Sequence, residues 1–155
     1  IKLLAIGKTD NKALQTLIDD YMKRLSFYVK FDLEIIADIK NVKNLSEKQQ
    51  KEKEGELILS KIGSTDHLVL LDENGKTFSS VGFADELQKK MNTGIKTLVF
   101  VIGGPYGFSE EVYKKANGKI SLSAMTFSHQ MVRLFIIEQI YRGFTILKNE
   151  PYHHQ

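Results

Sequence analysis

The feature that most restricts the fold of this chain is an apolar run at residues 97–102, TLVFVI, followed at once by the glycine-rich segment GGPYG. The run shows no alternation of polar and apolar side chains. That pattern is typical of a strand covered on both faces, as in a parallel sheet flanked by helices. The glycines that follow allow a tight turn and a close approach of the backbone to a ligand. The sequence therefore predicts a layered protein whose central strand ends in a glycine loop.

Strand-like and helix-like segments alternate along the rest of the chain. Strands are predicted at residues 3–6, 31–36, 67–72, 97–102 and 119–122, and helices at about 14–25, 46–62, 80–91, 109–116 and 128–147. This alternation favours an α/β fold with a mainly parallel sheet of about five strands and helices on both faces. Residues 73–76, ENGK, indicate a turn that ends the third strand. The densely charged stretch 43–56 indicates a solvated helix face. Because no linker or repeat interrupts the pattern, we expect a single domain over residues 1–155.

Composition excludes several classes of protein. The absence of cysteine excludes disulfides, zinc ribbons and thiol nucleophiles. With 22 basic and 19 acidic residues, the net charge is +3, which permits an RNA-binding face without requiring one. No apolar run approaches the roughly 18 residues of a membrane helix, and the first residues lack the pattern of a signal peptide. We expect a cytoplasmic protein that binds neither membranes nor DNA.

Three segments are predicted at the edge of the sheet where ligands of α/β proteins bind, beyond the carboxyl ends of the strands. They are residues 71–72, 103–107 and 122–127. The loop at 103–107 matches neither the dinucleotide fingerprint nor the P-loop, and a plain tight turn is an alternative interpretation. The backbone of the third segment would suit the edge of an adenine, with Leu122, Met125 and Phe127 against its faces. Alternatively, Met125 and Phe127 belong to the core.

The last predicted helix carries polar residues in two pairs on a mostly apolar surface. At helical spacing His129 and Arg133 share one side, and Glu138 and Arg142 share the opposite side. Apolar residues fill most of the remaining surface of this helix. The sheet covers one side of it, so we expect a second copy of the chain to cover another apolar side. The simpler alternatives are a capping or core role for His129 and an ordinary ion pair between Glu138 and Arg142.

The chain finishes with an aromatic residue and two imidazoles after a proline, PYHHQ. Terminal residues are usually frayed. If it is ordered, this tail offers Tyr152 for stacking on a base and His153 for proton transfer.

These motifs together resemble the small SPOUT-class methyltransferases that act on large-subunit ribosomal RNA. The resemblance rests on GGPYG after a buried strand, SLSAMTFSHQMVR, and IEQIYRGFTILKNEPYHHQ, and it extends from LLAIGK to YHHQ. The motifs agree with the family in order and separation. Two positions depart from it: Ser128 stands where the family usually has proline, and Tyr106 replaces a residue that is often smaller or polar. Because serine is a good helix N-cap, Ser128 can still begin the last helix.

The resemblance implies a fold whose C-terminal segment forms a trefoil knot, with S-adenosylmethionine bound in a bent shape within the knot and no metal. It also implies a homodimer in which the tail of one subunit completes the site of the other. The methyl acceptor would be N3 of a pseudouridine in 23S rRNA, and the modest charge of the chain favours assembled ribosomes over naked RNA as the substrate. The donor contacts carried over by motif are Leu71, Gly103, Leu122, Ser123, Ala124, Met125, Thr126 and Phe127.

Removing the weakly acidic N3 proton needs a base or stabilisation of the neighbouring carbonyl oxygens. The polar residues expected to act in the reaction are His129, Arg133, Glu138, Arg142, Tyr152 and His153. In this reading Glu138 orients an arginine and the arginines hold a phosphate or a carbonyl. Two other functions fit the pattern: a non-catalytic ribosome-binding factor of the same fold, and a flavodoxin-like or nucleotide-handling enzyme.

Overall fold

The computed structural model describes residues 1–154 and contains a five-stranded sheet in which all strand pairs are parallel. The strand order is β2-β1-β4-β3-β5. The strands are β1 (Lys2–Ile6), β2 (Asp32–Ile36), β3 (His67–Thr77), β4 (Leu98–Ile102) and β5 (Gly118–Ser121). All five residues of β4 are buried. The predicted α/β fold class is confirmed.

Five α-helices connect and follow the strands. They are α1 (Lys12–Leu25), α2 (Glu47–Ser60), α3 (Ser80–Asn92), α4 (Glu110–Lys115) and α5 (His129–Leu147). Each begins after a residue whose side chain accepts a hydrogen bond from the first helical turn, as expected of good N-caps. These caps are Asn11, Ser46, Ser79, Ser109 and Ser128. Among residues 1–154, no helix is both long and apolar enough to cross a bilayer.

The helices cover both faces of the sheet because successive strand side chains point to opposite faces. On one face, Leu3 and Ala5 of β1 belong to a core shared with α1, α3 and α5. On the other face, Leu4 and Ile6 belong to a second core shared with α2 and α4. The sheet therefore lies between two helical layers, and only its edges and strand ends are open to ligands.

The turn predicted at residues 73–76 is wrong, because β3 continues through it to Thr77. Leu71 and Lys76 both pair with Ile120 of β5, so the residues between them form a bulge. The bulge is closed by an Asx turn in which the Asn74 N–H donates to Asp72 Oδ1 at 2.8 Å. A Cβ on Gly75 would lie 2.5 Å from the backbone of Ile120. The turn-forming residues thus shape an irregularity within a strand rather than its end.

A candidate ligand cavity at the carboxyl ends of the strands

A cavity of about 460 Å³ opens at the carboxyl ends of β3, β4 and β5. The three segments predicted to lie at this edge meet there. Of the eight residues expected to contact a donor, seven line the cavity, and Ala124 does not. The seven are Leu71, Gly103, Leu122, Ser123, Met125, Thr126 and Phe127. The cavity is of the size that proteins use for small ligands.

The glycine loop forms one wall of this cavity and is also a tight turn. The Gly107 N–H donates to the Gly104 carbonyl at 3.1 Å, and Gly107 has a φ of 80°, in the region that favours glycine. A Cβ on Gly103 would lie 3.1 Å from the Phe108 ring. The lack of a side chain at Gly103 therefore lets the loop pack closely against Phe108 while residues 103–107 line the cavity.

The segment after β5 forms the opposite wall and is shaped by serine hydroxyls. Ser121 Oγ donates to the Ser123 carbonyl at 2.9 Å, and Ser123 Oγ accepts from the Met125 N–H at 2.9 Å. Met125 is 75% exposed, so the alternative that places it in the core is wrong. Phe127 is partly exposed and packs edge-on against Phe135 with ring centroids 4.9 Å apart. Ser128 caps α5 as predicted, since its Oγ accepts from the Met131 N–H.

The charged residues that line the cavity are acidic. Among the described residues it is lined by Asp72 and Glu73 and by no lysine or arginine. Tyr113 donates its hydroxyl to Asp72 Oδ2, and burial together with this bond raises the pKa of Tyr113 to about 12. His129 also lines the cavity, and burial and the charge of Arg133 lower the pKa of its imidazole. A neutral imidazole and two carboxylates favour a ligand that carries positive charge.

Arg133 is 1% exposed and does not line the cavity. Its guanidinium donates to the Ile6 carbonyl at 2.7 Å and to Thr9 Oγ1 at 3.0 Å. Gln130, on the same side of α5, donates to the Lys8 carbonyl at 2.9 Å. These bonds attach the first turns of α5 to the segment that follows β1, so in this chain Arg133 has a structural position.

The remaining predicted catalytic residues form a compact group, the tail cluster, made of Glu138, Arg142, Tyr152 and His153. Glu138 Oε1 accepts from Arg142 at 2.5 and 3.0 Å and from the Tyr152 hydroxyl at 3.0 Å. The Arg142 guanidinium also lies over the Tyr152 ring, 4.7 Å from its centroid, and 3.3 Å from His153 Nδ1. The tail is therefore ordered against α5 rather than frayed, and the pair of Glu138 and Arg142 is the centre of a network.

Sequence reasoning missed the part of α1 that supports the tail. The hydroxyls of Tyr21 and Tyr152 are 3.0 Å apart. Burial is the largest cause that raises the pKa of Tyr152, and this hydrogen bond is the next largest. Tyr28 donates to Glu150, and this bond raises the pKa of Tyr28 to about 12. Tyr21 has the spacing of the apolar residues of α1, and that spacing by itself indicates only one face of a helix. Its hydroxyl was the one signal that pointed to a polar role.

The tail cluster and the cavity are separate within one chain. No member of the cluster lines the cavity, whereas His129 does. Glu138 lies nine positions after His129 on the helix, which corresponds to roughly 13–14 Å along the axis. Within residues 1–154 there is also no group of three or more residues of the types His, Cys, Asp and Glu placed to hold a metal ion.

Comparison with known proteins gives one consistent result. The sequence pattern of the family described as "Predicted SPOUT methyltransferase" matches residues 1–153. The chain is similar to two proteins named "Ribosomal RNA large subunit methyltransferase H". It is 85% identical to the one from Flavobacterium johnsoniae and 87% identical to the one from Flavobacterium psychrophilum. Both matches cover 100% of this chain and 99% of the other protein. The protein of that name from Bacteroides thetaiotaomicron is 58% identical over 99% of the chain and 98% of its own length. The chain belongs to the SPOUT methyltransferase family.

Proposed function

We propose that this protein uses S-adenosylmethionine to methylate N3 of a pseudouridine in 23S rRNA. The observation that carries the proposal is the meeting of three distant segments, around Leu71, Gly103 and Met125, in one cavity. The name shared by the full-length relatives supports ribosomal RNA of the large subunit as the substrate. We further propose that residues 1–155 form one domain and that its C-terminal part is knotted.

The size of the cavity and the charge of its lining support the methyl donor as its ligand. Backbone groups of Gly103 and of residues 122, 123 and 125–127 would hold its adenosyl part, and Leu71, Leu122 and Phe127 supply apolar surface. Asp72 and Glu73 suit a ligand with a positively charged centre. When bound, S-adenosylmethionine supplies a methyl group on a sulfonium, an electrophile that requires no metal.

The tail cluster would act on the nucleotide. Because Glu138 accepts four hydrogen bonds, two from Arg142 and one each from Tyr152 and Gln139, it orients Arg142 and Tyr152 and does not act as the base. His153 Nδ1 faces an N–H group of Arg142, so a neutral imidazole carries its proton on Nε2. We assign Arg142 and His153 to the carbonyl oxygens beside N3, where they stabilise the negative charge left when the N3 proton passes to water. Tyr152 is assigned to stacking on the ring.

A homodimer would bring the two halves of the site together. In one chain the tail cluster lies apart from the cavity, so a second copy must present its tail to complete the site. The exposed side chains of Met125, Phe127 and Met131 supply apolar surface near the cavity for such a partner. A two-fold dimer then contains two equivalent composite sites.

The substrate we propose is the assembled ribosome, in the cytoplasm. A net charge of +3 gives a weak general attraction for naked RNA, so recognition depends on the shape of a ribosomal surface.

The test is methylation of ribosomes taken from cells that lack this protein, followed by mass spectrometry of 23S rRNA fragments. One added methyl group on a pseudouridine is the expected result, with stripped rRNA a much poorer substrate. Binding to ribosomes without binding of S-adenosylmethionine at millimolar concentration would instead indicate a non-catalytic ribosome-binding factor.

A further inference from the structure

Helix α2 contributes a buried acid to the rear of the glycine loop. Glu54 is 4% exposed, although Glu52 and Glu56 on the same helix are exposed and the charges of the stretch 43–56 indicate a solvated helix face. Its Oε1 accepts a hydrogen bond from Gln50 Nε2 at 2.8 Å, and within residues 1–154 its Oε2 has no partner. Burial of a carboxyl with one oxygen unsatisfied is unfavourable, so this position calls for a specific role.

The unsatisfied oxygen lies against Gly104. A Cβ built on Gly104 would stand 2.2 Å from Glu54 Oε2 and 2.7 Å from Oε1. Gly104 does not have a positive φ. What prevents a side chain at this position is therefore the Glu54 carboxyl and not the backbone conformation. Because Gly104 lines the cavity, Glu54 packs directly behind the cavity wall.

The next residue of α2 supports the other end of the same segment. A Cβ on Gly55 would stand 2.3 Å from Oγ of Ser109. Ser109 is the N-cap of α4 and is itself buried. Glu54 and Gly55 thus contact the beginning and the end of residues 104–109, and one turn of α2 forms the base on which the glycine loop lies.

Protonation favours this arrangement. Burial, with the charge of Asp38 as a smaller cause, raises the pKa of Glu54. A neutral carboxyl can remain packed against the backbone of Gly104 without a counter-charge.

We propose that Glu54 is a positioning residue for the cavity, holding the loop at residues 103–107 in the conformation that binds the adenosyl part of the methyl donor. Glu54 does not line the cavity and acts through Gly104. This inference rests on the proposed function, because the ligand is the proposed donor.

The test is a double-mutant cycle between Glu54 and Gly104, with affinity for S-adenosylhomocysteine measured by calorimetry. We expect G104A alone to weaken binding by about tenfold, because its Cβ meets the Glu54 carboxyl, and E54A alone to weaken it by about threefold. In the double variant the space left by the carboxyl accommodates the new Cβ. Its affinity should therefore lie within about threefold of that of E54A and be higher than that of G104A.

Matched controls separate this contact from general effects. G103A places its Cβ against Phe108, so E54A should not rescue it. Glu54→Gln keeps the size of the side chain, so it should not rescue G104A either. E56A, at an exposed position of the same helix, should bind as the wild type does. If E54A fails to fold, Glu54→Ser takes its place in the cycle.

Hydrogen exchange of the loop amides in the unliganded chain gives a readout that does not depend on the donor. Exchange at residues 103–107 should be faster in E54A than in the wild type and unchanged in E56A. If the wild type binds neither S-adenosylmethionine nor S-adenosylhomocysteine, the proposed function fails, whereas the exchange data still report whether Glu54 holds the loop. Additive effects in the cycle, wild-type affinity of G104A, or unchanged exchange in E54A would overturn the positioning role.

Discussion

At the scale of single residues, two buried ionisable side chains differ in how many of their hydrogen bonds are made. Arg133 is almost completely buried and donates to the Ile6 carbonyl and Thr9 Oγ1, while within residues 1–154 its Nε has no partner. Glu54 is also buried but has a single donor, Gln50. A buried charge stabilises a fold only when its hydrogen bonds are made. Removal of Arg133 should therefore destabilise the fold by leaving the Ile6 carbonyl and Thr9 Oγ1 without their donor, whereas ionisation of Glu54 should destabilise it by leaving a buried charge unpaired.

We expect Arg133→Met to lower the free energy of unfolding by about 2–4 kcal/mol, because the Ile6 carbonyl loses a charged donor and the segment after β1 loses its attachment to α5. Urea denaturation of the purified protein measures the change. Lys12→Met, at an exposed position of α1, is the control and should stay within about 0.5 kcal/mol of the wild type. Equal stability of the two variants would contradict the structural role of Arg133.

For Glu54 we expect a stability difference that depends on pH. Its pKa in the folded chain is raised from 4.5, so its favourable contribution is complete below the pKa of the unfolded chain and is lost as the pH rises through the folded-state pKa. Glu54→Gln cannot ionise. Its stability relative to the wild type should therefore increase between about pH 4 and about pH 8, with Glu56→Gln as the control. Urea denaturation across this range tests the expectation, and a constant difference would contradict it.

At the scale of secondary-structure elements, the long strand β3 depends on the bulge that brings its second half back to β5. Gly75→Ala should destabilise the protein by at least about 2 kcal/mol, because the new Cβ would overlap the backbone of Ile120. Gly118→Ala, also at the pairing of β3 with β5, is the matched control, since its Cβ would meet no atom within 4 Å and its φ is not positive. Thermal unfolding distinguishes the two variants, and similar midpoints would show that the bulge tolerates a side chain.

The elements themselves follow closely from local sequence, whereas their long-range pairings do not. Serine caps such as Ser46 and Ser128 and the apolar run of β4 are local signals, and the structure confirms the elements that they predict. The extension of β3 was missed because residues 73–76 have turn chemistry, and only pairing with Ile120 keeps them within a strand. The burial of Glu54 was missed for the same reason, since the contact with Gly104 joins residues fifty positions apart.

At the scale of the whole molecule, the three cavity segments were found from sequence because the carboxyl ends of parallel strands meet at one edge of a sheet. The positions of the tail cluster and of Arg133 could not be found in this way. They depend on how α5 packs against α1 and on where the chain runs after Leu147. Tyr21 of α1 and Tyr152 of the tail meet although 131 residues separate them.

Because the cavity and the tail are separate within one chain, two inactive variants should recover methylation activity when they form mixed dimers. Thr126→Trp should fill the cavity and leave the tail intact, whereas His153→Ala should impair the tail and leave the cavity intact. If each site combines the cavity of one subunit with the tail of the other, a mixed dimer has one site with both parts intact. After subunit exchange at equal concentrations, half of the dimers are mixed, so about a quarter of wild-type ribosome methylation should return. The same mixture at equal total concentration without subunit exchange is the control. Failure to recover activity after exchange, verified by mass spectrometry of the mixed dimers, would show that cavity and tail must belong to the same chain.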